Sequence, residues 1–183
     1  AMGQLRGASD TLDEAIRGAR SSDEVSEAPV PCIALTPDEP PRRKVEQQGL
    51  LIDLRLEQGA VQLHLGQRRW SLELSAEAME GAIALEDGRR EIEARVLRVR
   101  ALGLMGRFED ARKEIDAIGK SERRGAGRGR SSGRLPSLLG RLALQEGRLE
   151  EAQEHFEEAL RSHVKTGNIT ARFEDLCDLV EVL

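Results

Sequence analysis

Three glycines constrain this chain more than anything else in it. Gly66, Gly106 and Gly147 each open a segment of similar pattern: GQRRWSLELSAEAMEGAIAL, GRFEDARKEIDAI and GRLEEAQEHFEEAL. The glycines are 40 and 41 residues apart (106 − 66 and 147 − 106). Glycine tolerates the left-handed backbone of a tight turn, and the segments that follow place apolar residues at three- and four-residue steps. Such spacing predicts an internal helical repeat. A single helical hairpin buries its apolar face poorly alone, so the hairpins must stack into an array.

Composition agrees. Aromatic residues make up only 2% of the 183 residues, against 39% hydrophobic and 33% charged. Sheets lean on aromatic and β-branched residues, whereas Ala, Leu, Glu and Arg favour helix. The expected class is all-α, an α-solenoid of antiparallel helical hairpins with about three repeats and a terminal helix. A formal net charge of −5 gives no overall steering toward nucleic acid. Cys32 and Cys177 stand far apart in no metal-type spacing, and they fit a reduced, cytoplasmic setting. No apolar run is long enough to span a bilayer, so no membrane partner is expected. Met2 behind Ala1 reads as the remnant of a cleaved tag, and the chain as an excised piece of a larger protein.

Taken in order, residues 1–20 carry a short N-terminal helix capped at Ser9 or Asp10. Residues 21–41 hold five prolines and no helical period, and read as a linker whose apolar core, Val30–Leu35, is placed either extended along a groove or beside the first repeat. The repeat domain spans 42–183, with repeats at about 42–88, 89–134 and 135–168 and a terminal helix at 169–183. Within the first repeat, the helix from Trp70 shows two apolar stripes and is expected to pack on two sides. Asp87-Gly88 is expected to end it with a left-handed cap, repeated at Thr166-Gly167-Asn168. The terminal helix gathers Ile169, Phe173, Leu176, Val180 and Leu183 on one face and Arg172, Asp175, Asp178 and Glu181 elsewhere. That pattern reads as a cap with its apolar side inward, or equally as the first helix of a fourth repeat.

On these residues the chain resembles the tetratricopeptide repeat family. The third repeat carries the resemblance best. It has a Leu139-Gly140 pair, the turn Gly147, the large Leu149, the small Ala152 and Ala159, and Phe156 in the return helix. Gly106, Phe108 and Ala111 follow the same pattern, but Arg98-Val99 stands where Leu and a small residue are expected. The family's closing proline is missing, and the period exceeds the usual 34 residues. The variant is similar to the long repeats of bacterial signalling proteins. The resemblance implies close approach of Gly140 to Ala152. It also implies a concave groove lined by the first helix of each repeat: Leu63 and His64; Val96, Arg100 and Leu104; Ser137, Arg141, Leu144 and Gln145. Arg100 and Arg141 would then offer two cations to a protein or peptide partner with acidic groups. The expected role is a scaffold or regulatory module; self-association is compatible with it.

The nearest competing signal is the Arg/Gly-rich loop at 119–134, with Arg123, Arg124, Arg128, Arg130 and Arg134. Planar cations on a flexible backbone suit nucleic acid or an acidic partner, but no aromatic interleaves them. No catalytic motif, metal set or cofactor site is legible, so the chain is not expected to be an enzyme. His155 and His163 sit eight residues apart, too far to share one ion, and read as rim histidines. Cys177 reads as a small core residue.

Overall fold

The structure, a computed structural model, describes Glu14, residues 39–124 and residues 133–182. The described residues form seven helices and no strand: α1 (Glu39–His64), α2 (Arg68–Ala84), α3 (Gly88–Leu104), α4 (Phe108–Arg123), α5 (Arg134–Gln145), α6 (Leu149–Thr166) and α7 (Ile169–Val182). The all-helical expectation therefore holds, with consecutive helices packed on one another. Of the expected N-terminal helix only Glu14 is described, and it is helical. The proposed groove segment Val30–Leu35 lies outside the described residues. Pro40 and Pro41 stand inside the first turn of α1, where a missing N–H costs nothing.

One turn recurs along the chain. At Gly66, Gly106, Gly147 and Gly167 the backbone enters the left-handed region, with φ of 78°, 72°, 78° and 68°. At each of them two N–H groups fold back onto the preceding helix. Gly106 donates to the Gly103 carbonyl and Arg107 to that of Leu102; Gly147 donates to Leu144 and Arg148 to Ala143. This double closure satisfies carbonyls that the helix end would leave open. The sequence-based terminator Asp87-Gly88 is corrected. The left-handed residue is Glu86, with φ of 53°, and Gly88 already belongs to α3. Glu86 donates to Ile83 and Asp87 to Ala82, so the motif is the same one made without glycine. Turns then fall 20 residues apart (86 − 66, 106 − 86 and 167 − 147), half the glycine period.

The chain divides into two compact units at Glu91/Ile92. In the first, α1 lies against α2, and Ile52 is seated against Gly81, where an added Cβ would stand 3.1 Å from its side chain. The buried stripe of α2 is small: Ser71, Leu74, Ser75, Ala78 and Ala82. Trp70 and Ile83 are exposed, so α2 buries one face, not two. Arg90 ties the unit together. Its guanidinium donates from Nε and Nη2 to the two oxygens of Asp53, both at 2.8 Å, and from Nη1 to Asp87 at 2.6 Å. Asp87 also caps α3, accepting the Arg90 N–H at 3.0 Å. Burial alone would raise the Asp87 pKa, but these bonds to Arg90 hold it below the ordinary carboxylate value.

In the second unit α3 is buried on several sides, through Ile92, Ala94, Leu97, Val99, Ala101, Leu102 and Gly103. Arg95 and Arg98 converge on Glu114 of α4 at 2.7 and 3.0 Å. An arginine at position 98 thus does by ion pairing what the repeat pattern leads one to expect of an apolar residue. Helices α5 and α6 meet closely at Gly140. A Cβ there would lie 2.8 Å from ring carbons of Phe156. The close neighbour is therefore the Phe156 ring, while Ala152 packs with Ala143 and Phe156 in one buried cluster. Leu179 and Val182 of α7 close that cluster.

Helix α7 departs most from the sequence reading. Its apolar stripe faces outward: Ile169, Phe173 and Val180 are 77%, 68% and 73% exposed. Asp175 is its only buried residue, at 1%. Cys177, expected in the core, is a free and exposed thiol. The physical cause is the surface onto which α7 docks, described next.

Candidate functional site

The second unit contains a cleft of about 540 Å³ between α5, the end of α6 and α7, with Val96 of α3 on its wall. The αL turn at Gly167 sends α7 back across α5, and Asn168 caps α7 by accepting the Ala171 N–H at 3.2 Å. This hairpin brings carboxylates of α7 onto cationic and polar residues of α5 and α6.

Two polar clusters form there. In the buried one, His163 Nδ1–H donates to Asp175 Oδ2 at 2.6 Å, which leaves Nε2 as the ring's acceptor nitrogen when the imidazole is neutral. Ser137 Oγ lies 2.7 Å from Asp175 Oδ1 and 2.9 Å from the Gly133 carbonyl oxygen, so its single proton serves one of them at a time. Gly133 makes room for the ring; a Cβ there would fall 2.1 Å from His163 Nε2. The carboxylate sits between hydroxyl and imidazole, so Ser137 meets Asp175 and not the His163 ring, and the serine–histidine contact of a nucleophilic relay is not made. A buried carboxylate held by two donors is stable in place, and loss of either donor is costly.

The second cluster is half-exposed. Arg141 Nε donates to Asp178, and Arg141 Nη2 donates to Glu174 at 3.3 Å. Burial works against the Arg141 charge, but Asp178 and Glu174 outweigh it and raise its pKa. Arg100 lies within electrostatic reach of the same three residues and makes no ion pair among the described residues. Burial first, and then repulsion from Arg141, lowers its pKa despite Glu174 and Asp178. An arginine remains charged under such a shift, so Arg100 is a half-buried cation without a dedicated counter-ion.

Sequence reasoning and structure meet in part here. Val96, Ser137, Arg141 and Arg134 all line the cleft, and Arg100 is close to its charged rim. Arg141, expected to be free for a partner, is already paired within the chain. Leu144 packs on the Phe156 cluster, and Gln145 is exposed with its side-chain oxygen lying over Gly103. Leu104 is exposed. In the first unit His64 is exposed, while Leu63, at 6%, is core and not groove. Leu63 stands three helical turns after Ile52 and shares its inward face. Of the basic loop, Arg123 ends α4, Arg124 follows it and both are exposed; Arg134 starts α5. Arg128 and Arg130 lie outside the described residues.

His163 and Asp175 escaped the sequence reading. His163 is 4% exposed and not a rim residue. Its partner is 12 residues away across a turn, and no helical spacing announces such a pair. Among the described residues no three His, Cys, Asp or Glu converge on a metal position, and no helix is long and apolar enough to cross a membrane. No protein-family model matches the chain, and no curated protein matches it either.

Proposed function

We propose that the chain is a helical-repeat binding module of the tetratricopeptide type, which holds a protein or peptide partner on the α3–α5 face of its second unit. In this reading it serves as a scaffold or regulatory segment of a larger signalling protein. One observation carries the proposal. The face already binds an acidic helix within the chain, through Arg141, while Arg100 beside it has no ion pair among the described residues. A half-buried cation is costly to leave uncompensated, and a partner carboxylate would compensate it.

The test is Arg100→Glu. Arg141 is unsuited to it, because its removal also loosens α7. Proteins captured by the wild-type chain from native lysate should be lost with Arg100→Glu, while far-UV circular dichroism stays unchanged. Equal capture by both chains, with equal helicity, would remove Arg100 from the binding surface and the proposal with it.

A further inference from the structure

The outward apolar stripe of α7 and its inward acidic stripe form one observation. An amphipathic helix normally buries its apolar side. Here Asp175 and Asp178 point inward, onto His163, Ser137 and Arg141, and the exposed Glu174 reaches Arg141 from the rim. Ile169, Phe173, Leu176 and Val180 point to solvent. On its inner side α7 packs Leu179 and Val182 against the Phe156 cluster. The face thus selects by charge and hydrogen bonding, and its template is legible: carboxylates at i, i+1 and i+4, with apolar residues at i+5 and i+8.

We infer that α7 is the resident occupant of a recognition face whose partner is an acidic amphipathic helix with that stripe, and that the partner helix displaces α7. The inference rests on the reading of the α3–α5 face as a binding surface and names the chemistry of what binds. Charge complementarity supports it from both sides. Arg141 binds two carboxylates of α7, and Arg100, close enough to feel them, pairs with neither within bonding distance. A helix with one further acidic residue would engage Arg100 as well and outcompete α7. The polar character of the α7 contact suits exchange. The half-exposed Arg141 ion pairs hold α7 weakly, the buried Asp175 contacts to Ser137 and His163 are remade by the partner's carboxylate at i+1, and the turn at Gly167-Asn168 leaves α7 tethered nearby. A tethered helix competes at an effective concentration in the millimolar range, so the intact chain masks its own site.

The probe is a blocked peptide of residues 169–182 with Cys177→Ser, its binding to the full chain followed by fluorescence anisotropy. In the Asp178→Arg chain, position 178 repels Arg141, which weakens α7 and frees the face. That chain should bind the probe at least tenfold more tightly than wild type does. The Asp178→Asn chain, which loses attraction without adding repulsion, should show a smaller gain in the same direction and guards against misfolding of the first variant. A probe carrying Asp178→Arg should bind the Arg141→Glu chain and not the Asp178→Arg chain. Equal affinity of wild type and both position-178 variants for the probe, or no binding by any of them, overturns the inference. If that happens while Arg100→Glu still abolishes capture, the binding face stands and only its occupant is misidentified.

Discussion

Replacing Glu86 by glycine should stabilise the first unit. Glu86 is the only non-glycine among the described residues with positive φ, and its four counterparts along the chain are glycines. An L-residue in the left-handed region costs about 1–2 kcal/mol relative to glycine. Glycine returns about 0.4–1 kcal/mol of that through the freedom of the unfolded chain. The net gain is about 0.5–1 kcal/mol. Glu86 is exposed, and its side chain makes no ion pair among the described residues, so nothing else is lost. Trp70 is the sole tryptophan and lies on α2, the helix that this turn ends, so its fluorescence reports on the first unit. With a urea slope near 1 kcal/mol/M, the midpoint seen by Trp70 should rise by about 0.5–1 M. Glu86→Ala keeps the backbone strain and should leave the midpoint within about 0.2 M of wild type, by the same slope. A rise with Ala equal to that with Gly, or no rise with Gly, would refute the strain argument.

Three other outcomes are expected. Gly140→Ala should destabilise the second unit by about 1–3 kcal/mol, because its Cβ meets a buried ring that has no free direction to move. Denaturant unfolding at neutral pH followed by far-UV circular dichroism would show it, and Phe156→Leu in the same chain should return part of the loss. Glu122 Oε1 is buried without a hydrogen-bond partner among the described residues, and burial raises the Glu122 pKa. A carboxylate with a raised folded-state pKa weakens the fold once it ionises, so Glu122→Gln should add on the order of 1 kcal/mol at pH 7 and nothing at pH 3, measured by urea titration at both. Asp87 works in the opposite sense. Its folded pKa is depressed below 3.8, so its contribution is present above that value and is lost as pH falls through the folded pKa. The Trp70-detected stability of wild type should therefore fall on acidification below about pH 4, where free aspartate titrates, and more steeply than that of Asp87→Asn.

Helix positions were legible because each helix starts and stops on local chemistry. The turn glycines mark backbone that few other residues adopt, and α5 to α7 begin and end within one or two residues of the positions their patterns imply. The half-period was hidden because Glu86 makes the same turn without glycine. Arg90, pinned between Asp53 and Asp87, helps hold that strained turn in place. In the candidate site, the resemblance to the repeat family implied one face for Val96, Ser137 and Arg141, and all three line the cleft. It could not bring out the buried His163–Asp175 pair, whose members lie on different helices.

By itself the sequence determined where helices form and where they reverse, since propensity, apolar period and turn glycines act within a few residues. Only the tertiary structure decided which side of α7 turns inward. The periodicity of α7 reveals two faces and does not rank them; the ranking came from Arg141, His163 and Ser137, waiting on α5 and α6. Their cationic and hydrogen-bonding groups needed carboxylates more than the apolar stripe needed cover, and they drew the acidic face of α7 into contact.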